Sequence, residues 1–422
     1  MDIKIDKFIP GGFALGTAPT GKKMFFWNAL PGEIVTEYQI IKSKPSYEEA
    51  IAIKYKNPSP FRQEPKDDCF LSTSPWQILD YQYELEQKQS LVVELFYEHG
   101  IKIKTPEIVT DNKDYFYRNK MEYALYYDFE DEKIHPAFHA RGSHRKIPIE
   151  NSSIERPEIF KKAKEIIADL NSRGEEARKY QSLLLRCNQK GEVSGGLFEN
   201  HKPHPTFKNL KDIILGHEYS YSPNGFFQIN LPVYELALKE IKKNIATDEV
   251  LDLYAGVGTI GLSVARDKKL TLVECDYFAF SELAKNCEKG FSEELRSYDE
   301  DERAAPVTLA PWDANCRRQT GGGDALRGKN PVAIFAKSEE SLSYINNHQT
   351  VILDPPRAGL NIKLTEKLLE IMPPKIIYLS CNPATQARDV KILSEKYHIE
   401  NIKTFNFFPH TPHIENLIVL SL

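Results

Sequence analysis

Cys381 stands in Ser380-Cys381-Asn382-Pro383, directly after the apolar run Ile376–Leu379. A thiol at the end of a buried strand is a candidate nucleophile, although most cysteines are inert core residues. Asp354, in Asp354-Pro355-Pro356-Arg357, follows a second apolar run, Val351–Leu353. The two prolines forbid helix there and hold the carboxylate at the strand end, where it could also simply cap the next helix. Phe407–Asn416 adds His410, His413 and Glu415 in a proline-punctuated loop. The two histidines lack further ligands, which argues against a metal, and Glu415 reads either as a general base or as a solvated acid. Leu251–Gly261 ends a strand in the turn carrying Tyr254, Gly256 and Gly258, with a helix starting at once. Such glycines let a ligand approach the backbone, and Glu274, at the end of the next strand, suits a ribose diol. A dinucleotide site or a plain turn would use the same glycines.

The elements that must position these residues are legible in outline. The chain has 422 residues, 41% of them hydrophobic and 27% charged, so two or three packed domains are expected. Residues 1–60 alternate in short runs between Gly and Pro turns, as a small closed β-barrel would. Asn57–Asp68, with three prolines, reads as a linker. From Pro75 the pattern turns helical, through Ile78, Tyr81, Leu85, Val92 and Leu95. Residues 105–218 mix strands (Lys120–Tyr127, Ser182–Cys187) with a helix whose Ile159, Ala163, Ile166 and Leu170 form one stripe. From 219 strands and helices alternate, which predicts a doubly wound, Rossmann-like parallel sheet with its site beyond the strand ends. The segment 290–329, acidic and then Gly-rich, reads as a disordered insertion.

Composition narrows the classes. No apolar run reaches the ~18 residues of a membrane helix, and the first twenty residues lack a secretory pattern. The six cysteines are far apart, without a CxxC pair, which fits a reduced, cytoplasmic compartment. Net charge is −5, so any nucleic-acid contact must come from local basic patches. The stretch 133–146 gathers Lys133, Arg141, Arg145, Lys146, His135, His139 and His144 without an acid, which is also what an ordinary solvated face shows.

Taken together, Phe226-Phe227-Gln228-Ile229-Asn230, Leu251–Gly261, Asp354–Arg357, Ser380–Pro383 and Pro409–Glu415 resemble the RNA uridine-C5 methyltransferase family. Its members make 5-methyluridine in tRNA or ribosomal RNA from S-adenosylmethionine. Order and spacing match along the chain, excluding 290–329. The resemblance implies an RNA-binding TRAM-like barrel over 1–60 and an α+β central RNA-binding domain over 61–76 and 105–218. The methyltransferase domain would then take 77–104 and 219–422. It makes Cys381 the nucleophile, Glu415 the base and Asp354 the group that binds the uracil edge. Gln228, Tyr254, Gly256, Gly258, Glu274 and Asp354 would line the cofactor, and Arg118, Lys120, Arg141, Arg145 and Lys146 the RNA. A monomer acting on structured RNA, with no membrane partner, is expected.

Two departures stand out. Many members carry a four-cysteine iron–sulfur cluster, but here Cys69 stands alone and the expected later position falls near Asn151-Ser152-Ser153, so no cluster and no metal are expected. The insertion at 290–329 leaves the adenine-side contacts unassigned. Two rival readings remain: cytosine-C5 methylation of RNA, and a non-catalytic RNA-binding protein that keeps the cofactor fold.

Overall fold

The computed structural model describes residues 2–200, 202–204, 207–288 and 331–422. The insertion expected at 290–329, with Cys316, lies outside the described residues.

Strands β1 (Ile3–Phe8), β2 (Ala14–Thr17), β3 (Lys23–Trp27), β4 (Ile34–Ser43) and β5 (Tyr47–Lys56) close into a barrel in the order β1-β2-β3-β5-β4. Alternate residues, among them Ile3, Ile5, Met24, Phe26, Val35, Ala50 and Ala52, fill its interior, as the period of two requires. The stretch expected to be a linker is tied down instead. Arg62 makes a two-pronged ion pair with the buried Glu33 (2.6 and 2.7 Å) and lies over the Tyr55 ring at 4.0 Å.

After a short turn of helix, α1 (Phe70–Thr73), and the long α2 (Tyr81–Glu98) comes the three-residue strand β6 (Glu107–Val109). The middle domain follows: β7 (Lys120–Asp128), β8 (Lys133–His139), β9 (Lys146–Pro148), α3 (Pro157–Ser172), β10 (Ser182–Cys187), β11 (Val193–Glu199) and β12 (Lys202–His204). Its antiparallel sheet runs β12-β11-β10-β7-β8-β9. Helix α3 packs through Ile159, Phe160, Ala163, Ile167 and Leu170. Ile167 is thus the buried member where Ile166 was expected; Ile166, one position round the helix, packs at the margin of the same core. Beside Cys69, the Asp67 carboxylate accepts from Ser153 N and Oγ, and from Gln77, which also donates to Ser74 (2.6 Å). That hydroxyl and carboxylate donor set does not fit an iron–sulfur cluster, which is held by thiolates. Burial, then Asp67, pushes the Cys69 thiol up to about 12.

The C-terminal domain contains the hairpin β13 (Leu210–Ile214) and β14 (His217–Tyr221), then α4 (Leu231–Lys243), β15 (Glu249–Leu253), α5 (Thr259–Val264), β16 (Lys269–Glu274) and α6 (Tyr277–Glu288). It ends with β17 (Val332–Phe335), β18 (Gln349–Leu353), α7 (Ile362–Ile371), β19 (Lys375–Ser380), α8 (Pro383–Leu393), β20 (His398–Phe405) and β21 (Glu415–Ser421). The sheet order is β17-β16-β15-β18-β19-β21-β20-β6. β17 to β19 pair in parallel, and β21 inserts antiparallel between β19 and β20. Successive side chains bury on opposite faces. Leu251, Leu253, Val351, Leu353 and Tyr378 meet α2, α7 and α8, while Val250, Ile352, Ile377 and Leu379 meet α4, α5 and α6. This is the doubly wound sheet expected from the sequence.

The expected domain boundary moves at both ends of 105–218. β6 joins the C-terminal sheet beside β20, with Glu107 opposite Lys403. The hairpin β13–β14 packs Leu210, Ile214, Tyr219 and Tyr221 into the α4–α6 core. Neither is a local property: a three-residue edge strand and an amphipathic hairpin take the domain whose surface they cover.

Helix α2 docks through more than apolar contact. Lys88 and Glu84, one turn apart and both fully buried, pair at 2.7 Å. Lys88 also donates to Asn406 Oδ1 (2.7 Å) and Phe408 O (3.0 Å), and Glu84 accepts the His410 N–H at 2.9 Å. Removing one partner of such a pair strands the other charge, so Lys88→Met should cost about 3–5 kcal/mol in urea unfolding. The double variant Glu84→Gln, Lys88→Met should recover part of it. A loss below about 1 kcal/mol, the range of exposed pairs, would contradict the burial.

Candidate active site

Strand register lines up the residues singled out from the sequence. Leu353 of β18 lies opposite Leu253 of β15 and Tyr378 of β19, and Ser380 of β19 lies opposite Asn416 of β21. One residue further along, Tyr254, Asp354, Cys381 and Glu415 emerge at one edge of the sheet, on strands roughly 4.8 Å apart. Cys381 and Glu415 are direct neighbours across β19 and β21.

Side chains outside the chemistry hold that edge. Gln386 of α8 donates to Tyr378 O (2.9 Å) and Asn416 O (3.1 Å) and accepts from Asn416 Nδ2 (2.7 Å), clamping the two strand ends. Asn382 caps α8 and donates to Arg357 O at 2.9 Å, which joins the thiol's loop to that of Asp354. Asp389 Oδ2 accepts from Leu360 N (2.8 Å) and Tyr378 Oη (2.9 Å). It lies 2.6 Å from where a Cβ on Gly359 would stand, and Gly359 has φ +79°, so only glycine fits there.

The electrostatics are those of a functional cluster. Burial, then Glu415 and Asp354, pushes the half-buried Cys381 thiol up to about 11, while Arg357 pulls it back. Burial raises Asp354 to about 7. Glu415 is 4% exposed and lies well above the carboxylate range, through burial and then Asp354, again opposed by Arg357. Among the described residues neither carboxyl has a side-chain hydrogen bond. Buried polar groups normally find partners inside the protein, so the buried Glu415, next to the half-buried Asp354 and a thiol, is arranged for something that arrives. Arg357 was missed by the sequence reading, although it follows the two prolines directly.

The glycine turn sits at the adjoining strand ends. Tyr254 (φ +66°), Gly256 (φ +57°) and Gly258 (φ +89°) are all left-handed. Open space surrounds the Cβ position of Gly256, whereas a Cβ on Gly258 would stand 2.6 Å from Leu283. The first glycine therefore leaves room for a ligand and the second lets α6 pack. Glu274 accepts Gly256 N–H (2.7 Å), Cys275 N–H (2.7 Å) and Asp276 N–H (2.6 Å). A carboxylate has about four lone-pair sites, so this half-buried group retains capacity for one hydroxyl of a diol. Gln228 is buried in a loop whose backbone is strapped by Asn119 to Gln228 O (3.0 Å) and by Arg186 to Phe227 O (3.1 Å).

The five cations expected to face RNA divide. Lys120 donates to Asn224 O (3.1 Å), and burial, then Arg186, lowers it to about 8. Arg141 bonds Leu71 O and lies 4.1 Å over Trp27, and Lys146 donates to Leu125 O at 2.8 Å. These three hold loops and domains together, because half-burial makes a nearby carbonyl the partner that water would otherwise be. Arg118 is half-buried, donating to Lys120 O at 2.9 Å, and Arg145 is exposed. Arg357, Arg118 and Arg141, one from the C-terminal domain and two from the middle domain, all act on His413. His410, by contrast, is fully buried against Glu84, with Nε2 3.1 Å from Asp114.

The mutual effect of thiol and carboxylates has a measurable consequence. At the alkaline pH where Cys381 ionises, Glu415 is ionised and raises it, so Glu415→Gln should move the midpoint of Cys381 alkylation to lower pH. An unchanged or higher midpoint would place the carboxylate out of reach.

Comparison with known proteins agrees with this geometry. Residues 335–422 match the model of the tRNA (uracil-5-)-methyltransferase family. Over 96% of this chain and 95% of its own length, an uncharacterised RNA methyltransferase of Lactobacillus johnsonii is 28% identical. One from Nanoarchaeum equitans is 28% identical over 100% and 93%, and one from Bacillus cereus 26% over 94% and 91%. The tRNA (uracil-54, C5)-methyltransferase of Pyrococcus abyssi, solved with S-adenosyl-L-homocysteine, shares the fold over 100% of both chains, with a TM-score of 0.71 and 23% identity. No helix among the described residues is long and apolar enough to cross a membrane. The C-terminal end thus matches the tRNA (uracil-5-)-methyltransferase family model, and the chain is similar along its length to RNA methyltransferases and shares the fold of one.

Proposed function

We propose that this chain methylates C5 of uridine in structured RNA, through a transient bond between Cys381 and C6 of the base. The observation that carries the reading is the row of strand ends that sets Cys381 beside the buried Glu415 and the half-buried Asp354, neither carboxyl holding a side-chain hydrogen bond among the described residues. S-adenosylmethionine fits the other half of the edge: Gly256 gives space for the methionine end, Glu274 has capacity for a ribose hydroxyl, and the family resemblance adds Tyr254, at the start of the same turn, and Gln228. When bound, it supplies an electrophilic methyl group on a sulfonium.

Uracil C5 becomes nucleophilic only after addition at C6. Cys381 Sγ, as thiolate, forms the S–C6 bond, and the electron pair of the C5–C6 double bond moves onto O4. Asp354, protonated over part of the neutral range, donates to the uracil edge and stabilises that charge. C5 then takes the methyl group, with the bond from the methyl carbon to sulfur breaking. Glu415 removes the C5 proton, C5–C6 is restored and Cys381 leaves. Burial and the neighbouring Asp354 make Glu415 an effective proton acceptor once ionised. The target base must leave its stack to reach this edge. Arg118 and Arg145 offer charge to phosphates beside it.

The Pyrococcus abyssi protein acts on tRNA, so unmodified tRNA transcripts are the first substrate to test, beside ribosomal RNA. With methyl-labelled S-adenosylmethionine, label should appear in 5-methyluridine. Label in 5-methylcytidine would establish the cytosine rival, and RNA binding without label the non-catalytic one. Cys381→Ala should abolish transfer without unfolding the chain. Glu415→Gln should accumulate a methylated protein–RNA adduct stable to denaturing gel electrophoresis, and free turnover by that variant would remove Glu415 as the base.

A further inference from the structure

The segment between β6 and β7 crosses from the C-terminal sheet to the middle domain alongside the loop that leads to Glu415. Two of its aromatic residues face inward. Tyr115 packs on His410, ring centroids 4.3 Å apart, and Tyr117 is buried, its hydroxyl donating to Pro409 O at 2.9 Å. Between them Phe116 is 53% exposed and has φ +56°. A bulky residue in the left-handed region is strained, and such residues persist where the surroundings fix the backbone. They do so here: Phe116 N donates to Ser153 O (2.8 Å), Arg118 N to Ile154 O (2.9 Å) and Arg156 N to Arg118 O (2.9 Å).

The strain brings the ring no burial, and no aromatic or cationic partner is recorded for it among the described residues. Glycine would take the same backbone without strain and without exposing apolar surface. The charges around the ring suit an anion-bearing partner. Lys113 is exposed and Arg118 half-buried, while the Asp114 carboxyl is taken up by His410 and the Lys66 ammonium lies 3.5 Å over Tyr115. A single exposed flat ring, on a segment that carries Lys113 and Arg118 and whose acids are engaged by His410 (Asp114) and by the Lys113 N–H (Asp111), matches a nucleobase and its phosphates better than a protein surface, which would need a wider apolar patch.

We propose that Phe116 is a stacking platform for a base flanking the target uridine. This rests on the RNA reading above. Tyr115 and Tyr117, anchored on His410 and Pro409, hold the platform at a fixed offset from the loop that ends in Glu415.

The test uses the full chain and an unmodified tRNA transcript, with RNA affinity, S-adenosylmethionine affinity and melting temperature read separately. Phe116→Gly should weaken RNA binding about 5- to 150-fold, the range of a lost base stack. Its cofactor affinity should be unchanged and its melting temperature equal or higher, since glycine relieves the backbone. Phe116→Trp should keep the RNA affinity. Wild-type RNA affinity in the glycine variant would overturn the proposal, as would a loss in both variants that tracks a lower melting temperature. If the glycine variant loses RNA affinity while the wild-type chain forms no 5-methyluridine, the platform stands and the methylation reading falls. A wild-type chain that forms 5-methyluridine beside a glycine variant of normal affinity gives the reverse.

Discussion

The Lys88 ammonium and the Glu84 carboxylate are both shut away from water, and the geometry of the proposed catalytic edge depends on them. Neither charge would be tolerable alone in that interior, and together they leave hydrogen-bonding capacity to spare. It is filled by Asn406, the carbonyl of Phe408 and the N–H of His410, all in the loop between β20 and β21. His410 is left-handed, at φ +59°, so the loop reverses there and delivers Glu415 to the start of β21 opposite Cys381. A helix more than three hundred residues away in sequence thus sets where Glu415, the proposed proton acceptor, stands.

The edge so formed is deliberately short of partners. Burial raises all three acidic groups, Cys381, Asp354 and Glu415; the two carboxyls further raise the thiol, Asp354 further raises Glu415, and Arg357 relieves the thiol and Glu415. Such a cluster cannot be fully ionised at neutral pH without a further positive charge. Its protons are therefore available to an incoming base, and its electrostatic cost is carried by the folded core beneath it. That core is the alternating apolar ladder of β15, β18, β19 and β21, sealed on both faces by helices.

Much of this could be read from the residues. The barrel, the doubly wound sheet and the positions of Cys381, Asp354 and Glu415 follow from periodicity and from where polar residues interrupt apolar runs. What escaped is what only tertiary contact decides. Glu84 and Lys88, one turn apart on a helix, look like an ordinary surface pair until the loop that buries them is placed. The cations Lys120, Arg141 and Lys146 resemble an RNA-facing patch by composition, yet each ends on a backbone carbonyl. Glu107–Val109 carries no pattern strong enough to mark a strand, because an edge position asks little of it. Phe116 was invisible because sequence does not report a backbone dihedral.

The placement of α2 and β6 also bears on how the chain assembles. Both precede the middle domain in sequence but complete the sheet and helix layer of the C-terminal one. During synthesis the barrel and middle domain have all their own strands once residue 204 has emerged, whereas Lys88 acquires its loop partners only after residue 410. Until then α2 carries an apolar face and an ammonium whose only ion-pair partner among the described residues is Glu84 on the same helix. The C-terminal domain accordingly has all its strands only once β21, which lies between β19 and β20, has emerged. Loop closure over such distances is slow, and the proposed catalytic edge, which needs the start of β21, comes into existence only then.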